Sequence, residues 1–358
     1  MRLVILLALT FGILSCETVD VERQLEIPEN YDGSSFETNA SAELAALEAL
    51  GGLSTEMKRG RVGEKVDQNV ANAFLGTVSP FSTTYFNSLI TNDLLGSLIS
   101  NSGGQQFNPG AQGGVYGSYL FTAYGIENEQ LIEKGLYAAA FYNKASQLAA
   151  NPDEKTADQI LALFGAHPDF SSSNNGSLHT NPDRFIAGYI ARRDKNDGSG
   201  FYSGVKNGLI KFQAAQKAEG DFEKERDEAI QEIFENWEKG SAATAINYIY
   251  SVLSKLSATN PDDNAISSAL HSYSEVLGFI HGFRTVDRKI ITDTEIDEIL
   301  GLLNVPVGQT PTTLNILSSP STELAKIVQV LDRLQTTYGF SDQQMEEFRK
   351  NWVSEQNR

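Results

Sequence analysis

The chain has little cysteine, little histidine and few basic residues, and each shortage excludes something. Its single cysteine, Cys16, cannot form a disulfide within one chain. Lys and Arg total 28 against 46 Asp and Glu, so the net charge is -18. Such an acidic surface repels phosphate backbones and no basic cluster is present, so we expect no nucleic acid partner. After residue 16 no stretch approaches the roughly 18 apolar residues of a membrane span.

The N-terminus, MRLVILLALTFGILSC, carries the strongest signal in the sequence. Arg2 precedes a largely apolar run from Leu3 to Leu14, which is too short to span a bilayer stably and is typical of a signal peptide. The run ends in Ile13-Leu14-Ser15-Cys16, which resembles the bacterial lipobox.

That resemblance implies that residues 1–15 are a lipoprotein signal peptide and that the thiol of Cys16 carries a diacylglycerol. Acyl chains contribute about 0.8 kcal/mol per buried CH₂, so several of them anchor a protein stably. The alternative is an ordinary secreted protein in which Cys16 has no special role.

The rest of the chain divides into a short acidic segment and a long helical one. Residues 16–38 lack helical periodicity, and we interpret them as an acidic tether. Residues 39–358 show helical periodicity almost throughout, which predicts an all-α fold of about ten helices in one or two packed bundles. Residues 101–118 are rich in glycine and predict a flexible loop or lid.

Several helix boundaries follow from local signals. Thr292 and Ser341 begin capping boxes, and Gly339 is placed to end the helix that precedes it. Asn181 followed by proline predicts another helix start. The long amphipathic stretch from Phe222 to Leu256 contains Gly240, where we expect a break.

The stretch SALHSYSEVLGFIHGFR, residues 268–284, holds the main candidate site. His271 and Glu275 lie four residues apart, so a helix projects both side chains towards one point. This pair suits a divalent or ferric ion that needs further ligands, or it is a hydrogen-bonded pair in the packing between helices. Gly278 and Gly282 on the same stripe leave room for a ligand or for a close helix.

Catalytic motifs are missing from the sequence. It has no His-Glu-x-x-His zinc motif and no Gly-x-Ser-x-Gly elbow, and lipidation would consume the thiol of Cys16. We therefore expect no enzymatic activity. A peptidase remains the least favoured of three readings.

Several segments, in their order along the chain, resemble an uncharacterised branch of the imelysin-like lipoproteins of bacterial envelopes. They are Ser34–Arg61, NEQLIEKGLYAAAFYNKA, LFGAHPDF followed by RFIAGYIARRDK, RDEAIQEIFENWEKGSAATAINYIY, and SALHSYSEVLGFIHGFR through ITDTEIDEILGLL. The resemblance covers most of residues 30–305. It implies an all-α fold of two bundles, a lipid anchor and a role in iron acquisition.

The sequence departs from that group at its Gly-x-His-x-x-Glu metal motif. His167 is followed by Pro168, Asp169 and Phe170, so the glutamate is missing, and a typical upstream histidine is replaced by Thr156. His271 and Glu275 match the branch's His-x-x-x-Glu and are the preferred metal ligands. His167, Asp169 and Asp158 are weaker candidates.

The sequence thus predicts a lipid-anchored binding protein of the bacterial envelope, on the outer membrane in preference to the inner, linked by resemblance to iron or haem uptake. The cofactor is open, with iron or another divalent or trivalent metal as the expectation. The alternative is a scaffold of the same fold that has lost its metal and binds an envelope protein partner.

Overall fold

The computed structural model describes residues 23–358 and confirms the all-α prediction. Helices make up most of these residues, and their number exceeds the ten expected. The only regular strands in the described part of the chain form one two-stranded antiparallel hairpin. None of the helices between residues 23 and 358 combines the length and apolarity that a bilayer crossing requires. The proposed signal peptide and Cys16 lie outside the described residues.

The first half of the chain contains eight α-helices, one hairpin, two 3₁₀ turns and two π-helical turns. The elements are α1 (Phe36–Asn39), α2 (Ser41–Lys58), a 3₁₀ turn (Arg59–Val62), α3 (Gln68–Val78), a 3₁₀ turn (Ser79–Phe81), α4 (Thr84–Leu89), a π-helical turn (Ile90–Leu94), α5 (Leu95–Asn101), β1 (Gly114–Tyr116), β2 (Tyr119–Phe121), α6 (Asn128–Leu136), a π-helical turn (Tyr137–Tyr142), α7 (Asn143–Ala150) and α8 (Thr156–Phe164).

The second half contains nine helices and no regular strand among the described residues. Its elements are α9 (Phe185–Ala191), α10 (Phe201–Lys217), α11 (Glu223–Leu256), α12 (Asp263–His281), α13 (Asp293–Leu302), α14 (Asn315–Ser318), α15 (Pro320–Tyr338), α16 (Asp342–Glu347) and α17 (Trp352–Glu355).

Helix α11 is the longest element and organises the packing. Its 34 residues extend about 50 Å at the rise of an α-helix. It packs along α10 and α12, and α12 packs in turn against α6. The buried apolar side chains join into one continuous core from Tyr31 to Val353. Gly240 does not break α11, because it packs closely against the side chain of Ile190, where a larger residue would not fit.

The capping boxes at Thr292 and Ser341 are confirmed, and Gly339 adopts the left-handed conformation that ends α15. The expected start at Asn181 is wrong. Helix α9 begins only at Phe185, because the carboxylate of Asp183 turns inwards and accepts bonds from a backbone N–H and a tyrosine hydroxyl.

Two segments expected to be free lie against the helices. In the acidic segment, Tyr31 and Phe36 are buried, and the Tyr31 hydroxyl donates to Asp158 Oδ1 at 2.7 Å. Part of the glycine-rich stretch 101–118 forms β1 and the start of the hairpin turn. The sequence missed this hairpin because its strands have only three residues each, too few to show an alternating pattern.

Candidate functional site

The candidate site is a cluster of charged side chains where α6 meets α12. All nine residues of α6 are buried, although its sequence, NEQLIEKGL, carries three charges. Glu127, immediately before α6, is fully buried too. Buried charges are costly unless they are paired, so the partners of these groups decide what the site can do.

His271 on α12 lies between two carboxylates. Its Nδ1 is 2.6 Å from Glu127 Oε2, and its Nε2 is 3.3 Å from Glu275 Oε2. We assign the ring proton to Nδ1, which has the shorter contact; this nitrogen then donates to Glu127 and leaves the lone pair of Nε2 facing Glu275. The ring of Tyr119 stacks on the imidazole at 4.4 Å between centroids.

The hairpin covers this part of α12 along one stripe of the helix. The Tyr116 hydroxyl donates to Asp263 Oδ1 at 2.8 Å, Gly117 packs against Ser267, and Tyr119 stacks on His271. These contacts recur every four residues on α12, so the hairpin lies along the face that carries the site. The side chain of His271 keeps 19% of its surface exposed.

Burial makes the imidazole a neutral group at physiological pH. Desolvation, together with the nearby cations Arg61, Lys134 and Lys255, lowers the pKa of His271 to about 4, although Glu275 acts in the opposite direction. A neutral imidazole with a free Nε2 lone pair is the form that binds metal ions.

The other carboxylates of the cluster, Glu127, Glu129 and Glu133, form ion pairs with three cations. Arg61 contacts Glu127 at 2.7 Å and also pairs with Glu129, and Lys134 contacts Glu133 at 2.9 Å. Lys58 lies 3.8 Å from Glu129. Glu275 Oε1 lies 3.8 Å from Lys134 Nζ, so this carboxylate has a cationic partner as well.

The pKa values of the cluster reflect its burial and these ion pairs. Burial raises the pKa of Glu127 and of Glu129 to about 7, against the opposing effect of Arg61. Burial also raises the pKa of Glu275. Glu133 differs: although burial acts to raise its pKa, the adjacent Lys134 and Lys58 lower it to about 2. Glu133 therefore stays ionised at neutral pH, whereas burial favours the protonated form of Glu127, Glu129 and Glu275.

Glu275 Oε2 is buried and has no hydrogen-bond partner, while the other oxygen of this carboxylate accepts from the Tyr189 hydroxyl at 3.4 Å. Two electron-rich atoms, Glu275 Oε2 and His271 Nε2, thus face each other. Between residues 23 and 358, no three His, Cys, Asp or Glu side chains are grouped as a complete metal site. The protein could supply two ligands here, with the other positions open to water or to a bound molecule.

The weaker candidates lie elsewhere and are not brought together with His271. His167 Nδ1 is 3.0 Å from Asp169 Oδ1, and both side chains are substantially exposed. Asp158 is buried on α8, where it accepts from Tyr31 and Asn39 and holds the N-terminal segment. The carboxylate of Asp158 is therefore already occupied by two hydrogen bonds that attach the N-terminal segment.

The glycines beside the pair make room for a helix. A Cβ on Gly278 would lie 2.7 Å from Lys134 Cβ, and a Cβ on Gly282 would lie 2.3 Å from the carbonyl oxygen of Gly135. These contacts bring α12 close to α6 and so place His271 beside Glu127. Glu127, Glu129 and Glu133 were not predicted as site residues from the sequence. The charged residues within an otherwise apolar helical run were the pattern that indicated them.

No known family model, curated protein or solved structure matches this chain.

Proposed function

We propose that this chain is a lipid-anchored, non-enzymatic binding protein of the bacterial envelope that binds a metal ion through His271 and Glu275. The observation that supports this most directly is the 3.3 Å separation of His271 Nε2 and Glu275 Oε2. Two ligands of one tetrahedral metal, each with a bond of about 2.0–2.2 Å, lie roughly 3.3–3.5 Å apart.

The surroundings of the imidazole support the same proposal. Metal-binding histidines usually donate their second ring N–H to a carboxylate or carbonyl, which fixes the tautomer and makes the ligand more basic. Glu127 takes this position beside Nδ1 of His271. A cation between Nε2 and Glu275 would also favour the ionised form of that carboxylate, whose pKa burial raises. A neutral imidazole, a carboxylate and open positions suit zinc, iron or another transition metal.

The resemblance to imelysin-like lipoproteins adds iron acquisition to this proposal. The lipid anchor at Cys16 would keep the helical domain at the envelope membrane, where it could take up a metal or a metal complex.

A scaffold role is the second candidate. It is favoured by the pairing of the cluster with Arg61, Lys58 and Lys134, and by the presence of only two suitably placed ligands. In that case the charged cluster fixes the packing of α6 on α12, and the protein acts through its surface on an envelope partner.

Metal content separates the two candidates. The purified protein from residue 17 onwards is exposed to iron, zinc and haem, dialysed, and analysed by mass spectrometry for bound metal. We expect about one metal per chain in the wild type and none in His271→Ala/Glu275→Ala. Glu275→Gln removes the charge with little change of shape, and it should lose the metal as well. Glu127→Gln should weaken binding by about 10- to 100-fold.

The double variant His167→Ala/Asp169→Ala is the matched control, because it removes the same types of group from an exposed pair. It should bind metal like the wild type. No metal in the wild type or in any variant, with all of them folded by circular dichroism, would favour the scaffold. Equal metal in all variants would refute His271 and Glu275 as the ligands.

A further inference from the structure

A second concave site lies beside α11. It is formed by the middle of α11, the segment 286–291 that precedes α13, and the C-terminal end of α15, and it has a volume of about 560 Å³. Ligand pockets commonly have volumes of about 300–1,000 Å³. Its apolar lining consists of Ile290 together with Tyr142 and Phe234, whose side chains are almost fully buried. Ile290 is 38% exposed, a large apolar side chain open to this cavity.

Glu238 holds the three walls of the cavity together. Its buried carboxylate accepts the backbone N–H groups of Ile290 at 2.6 Å and Ile291 at 2.9 Å, and the hydroxyls of Tyr338 at 3.1 Å and Tyr142 at 3.4 Å. One side chain of α11 thereby fixes segment 286–291, α15 and Tyr142. The cavity is consequently preformed, which reduces the entropic cost of binding a ligand.

Three cations line the same cavity, in a chain whose net charge is -18. Lys239 is paired with Glu235 at 2.6 Å and Lys289 with Asp293 at 2.9 Å. Arg288 forms no ion pair with any carboxylate of residues 23–358, and its guanidinium lies over the ring of Phe234 at 5.0 Å. An unpaired guanidinium offers several donors in a planar fork that suits a carboxylate or a similar anion.

We propose that this cavity binds a small organic anion, with its acidic group on Arg288 and its apolar body against Ile290. The site is independent of the cluster around His271. The combination of an exposed isoleucine and an arginine without an ion pair favours an amphipathic monoanion over a free inorganic anion, which would leave Ile290 uncovered.

The probe for this site is anilinonaphthalene sulfonate, which combines an aromatic body with one negative charge. The chain has two tryptophans, and Trp237 lies beside the cavity walls, with its ring 5.3 Å from that of Tyr142. In the lipid-free protein from residue 17 onwards, which needs no detergent that would itself take up the dye, with Trp352→Phe, energy transfer from Trp237 to the dye reports binding to the protein. We expect saturable binding of one dye per chain.

Arg288→Ala should weaken dye binding by at least about tenfold, because a charge-assisted contact is lost. Arg288→Lys should recover part of that loss. Arg349→Ala is the matched control: it removes an arginine that stacks on Tyr250 at 3.6 Å outside the cavity, and it should leave binding unchanged.

N-phenylnaphthylamine, which has the same kind of aromatic body without the sulfonate, tests the assignment of charge. Its binding should be the same in the wild type and in Arg288→Ala, which would also show that the variant keeps its fold. Dye binding that does not saturate, or that is equal in the wild type and Arg288→Ala, would overturn the proposal.

Discussion

Gly282→Ala tests the close contact that positions the His271 cluster. Gly282 has φ -61° and ψ -26°, a helical conformation that any residue adopts, so the substitution introduces no backbone strain of its own. An added Cβ would lie 2.3 Å from the carbonyl oxygen of Gly135 and 2.9 Å from its Cα.

The expected effect follows from that overlap. Carbon and oxygen atoms normally approach to about 3.3 Å, so α6 and α12 would have to separate by about 1 Å. Overpacking of this kind costs about 1–3 kcal/mol, and we expect about 3 kcal/mol because the atoms it meets are backbone. Gly96→Ala is the control, since an added Cβ meets nothing within 4 Å on α5. It should stabilise the protein by about 0.5–1 kcal/mol.

Urea unfolding followed by far-UV circular dichroism measures both variants, with the midpoint and the slope compared with the wild type. The separation of the helices should also reduce metal binding, because Glu127 and His271 would move apart. Equal midpoints for Gly282→Ala and Gly96→Ala would refute the close approach of α6 and α12.

Three further variants test other parts of the structure. Glu238→Ala should destabilise the protein by more than about 3 kcal/mol in urea unfolding, because two N–H groups and two hydroxyls lose their buried acceptor. Gly117→Ala should speed the reaction of His271 with diethyl pyrocarbonate, because Gly117 has φ +60° and a Cβ there would lie 2.5 Å from Ser267 Oγ, which displaces the hairpin. The free energy of unfolding of the wild type should fall between about pH 7 and about pH 4.5, and His281→Phe should reduce that fall by about 2 kcal/mol.

The pKa of His281 determines the direction in which stability changes with pH. Burial lowers that pKa from 6.5 to about 4, so the group stabilises the folded state above pH 6.5, and this contribution is lost as the pH falls towards 4. An unchanged pH profile in His281→Phe would contradict it. Unchanged stability of Glu238→Ala would contradict the first of these predictions. An unaltered rate of His271 modification in Gly117→Ala would contradict the second.

Local signals in the sequence were sufficient for the helical class and for part of the element boundaries. Periodicity reports which face of a helix is buried, and a capping box satisfies backbone groups within one turn, so Thr292 and Ser341 could be interpreted without knowledge of the fold. Asn181 fails as a cap because its neighbour Asp183 bonds to Ser173 and to Tyr202, contacts that no local pattern encodes.

The candidate site, too, was only partly predictable from the sequence. The spacing of His271 and Glu275 on one helix was visible in the sequence because an i,i+4 pair shares one helical face. Glu127 and Arg61 join them only through the tertiary structure, since they come from segments 144 and 210 residues before His271. The close approach of α6 and α12 at Gly135 and Gly282 brings these charges out of water together. The sequence by itself determined a helical chain with a His–Glu pair, whereas the packing of two helices decided the tautomer, charge and burial of that pair, because those properties depend on groups distant along the chain.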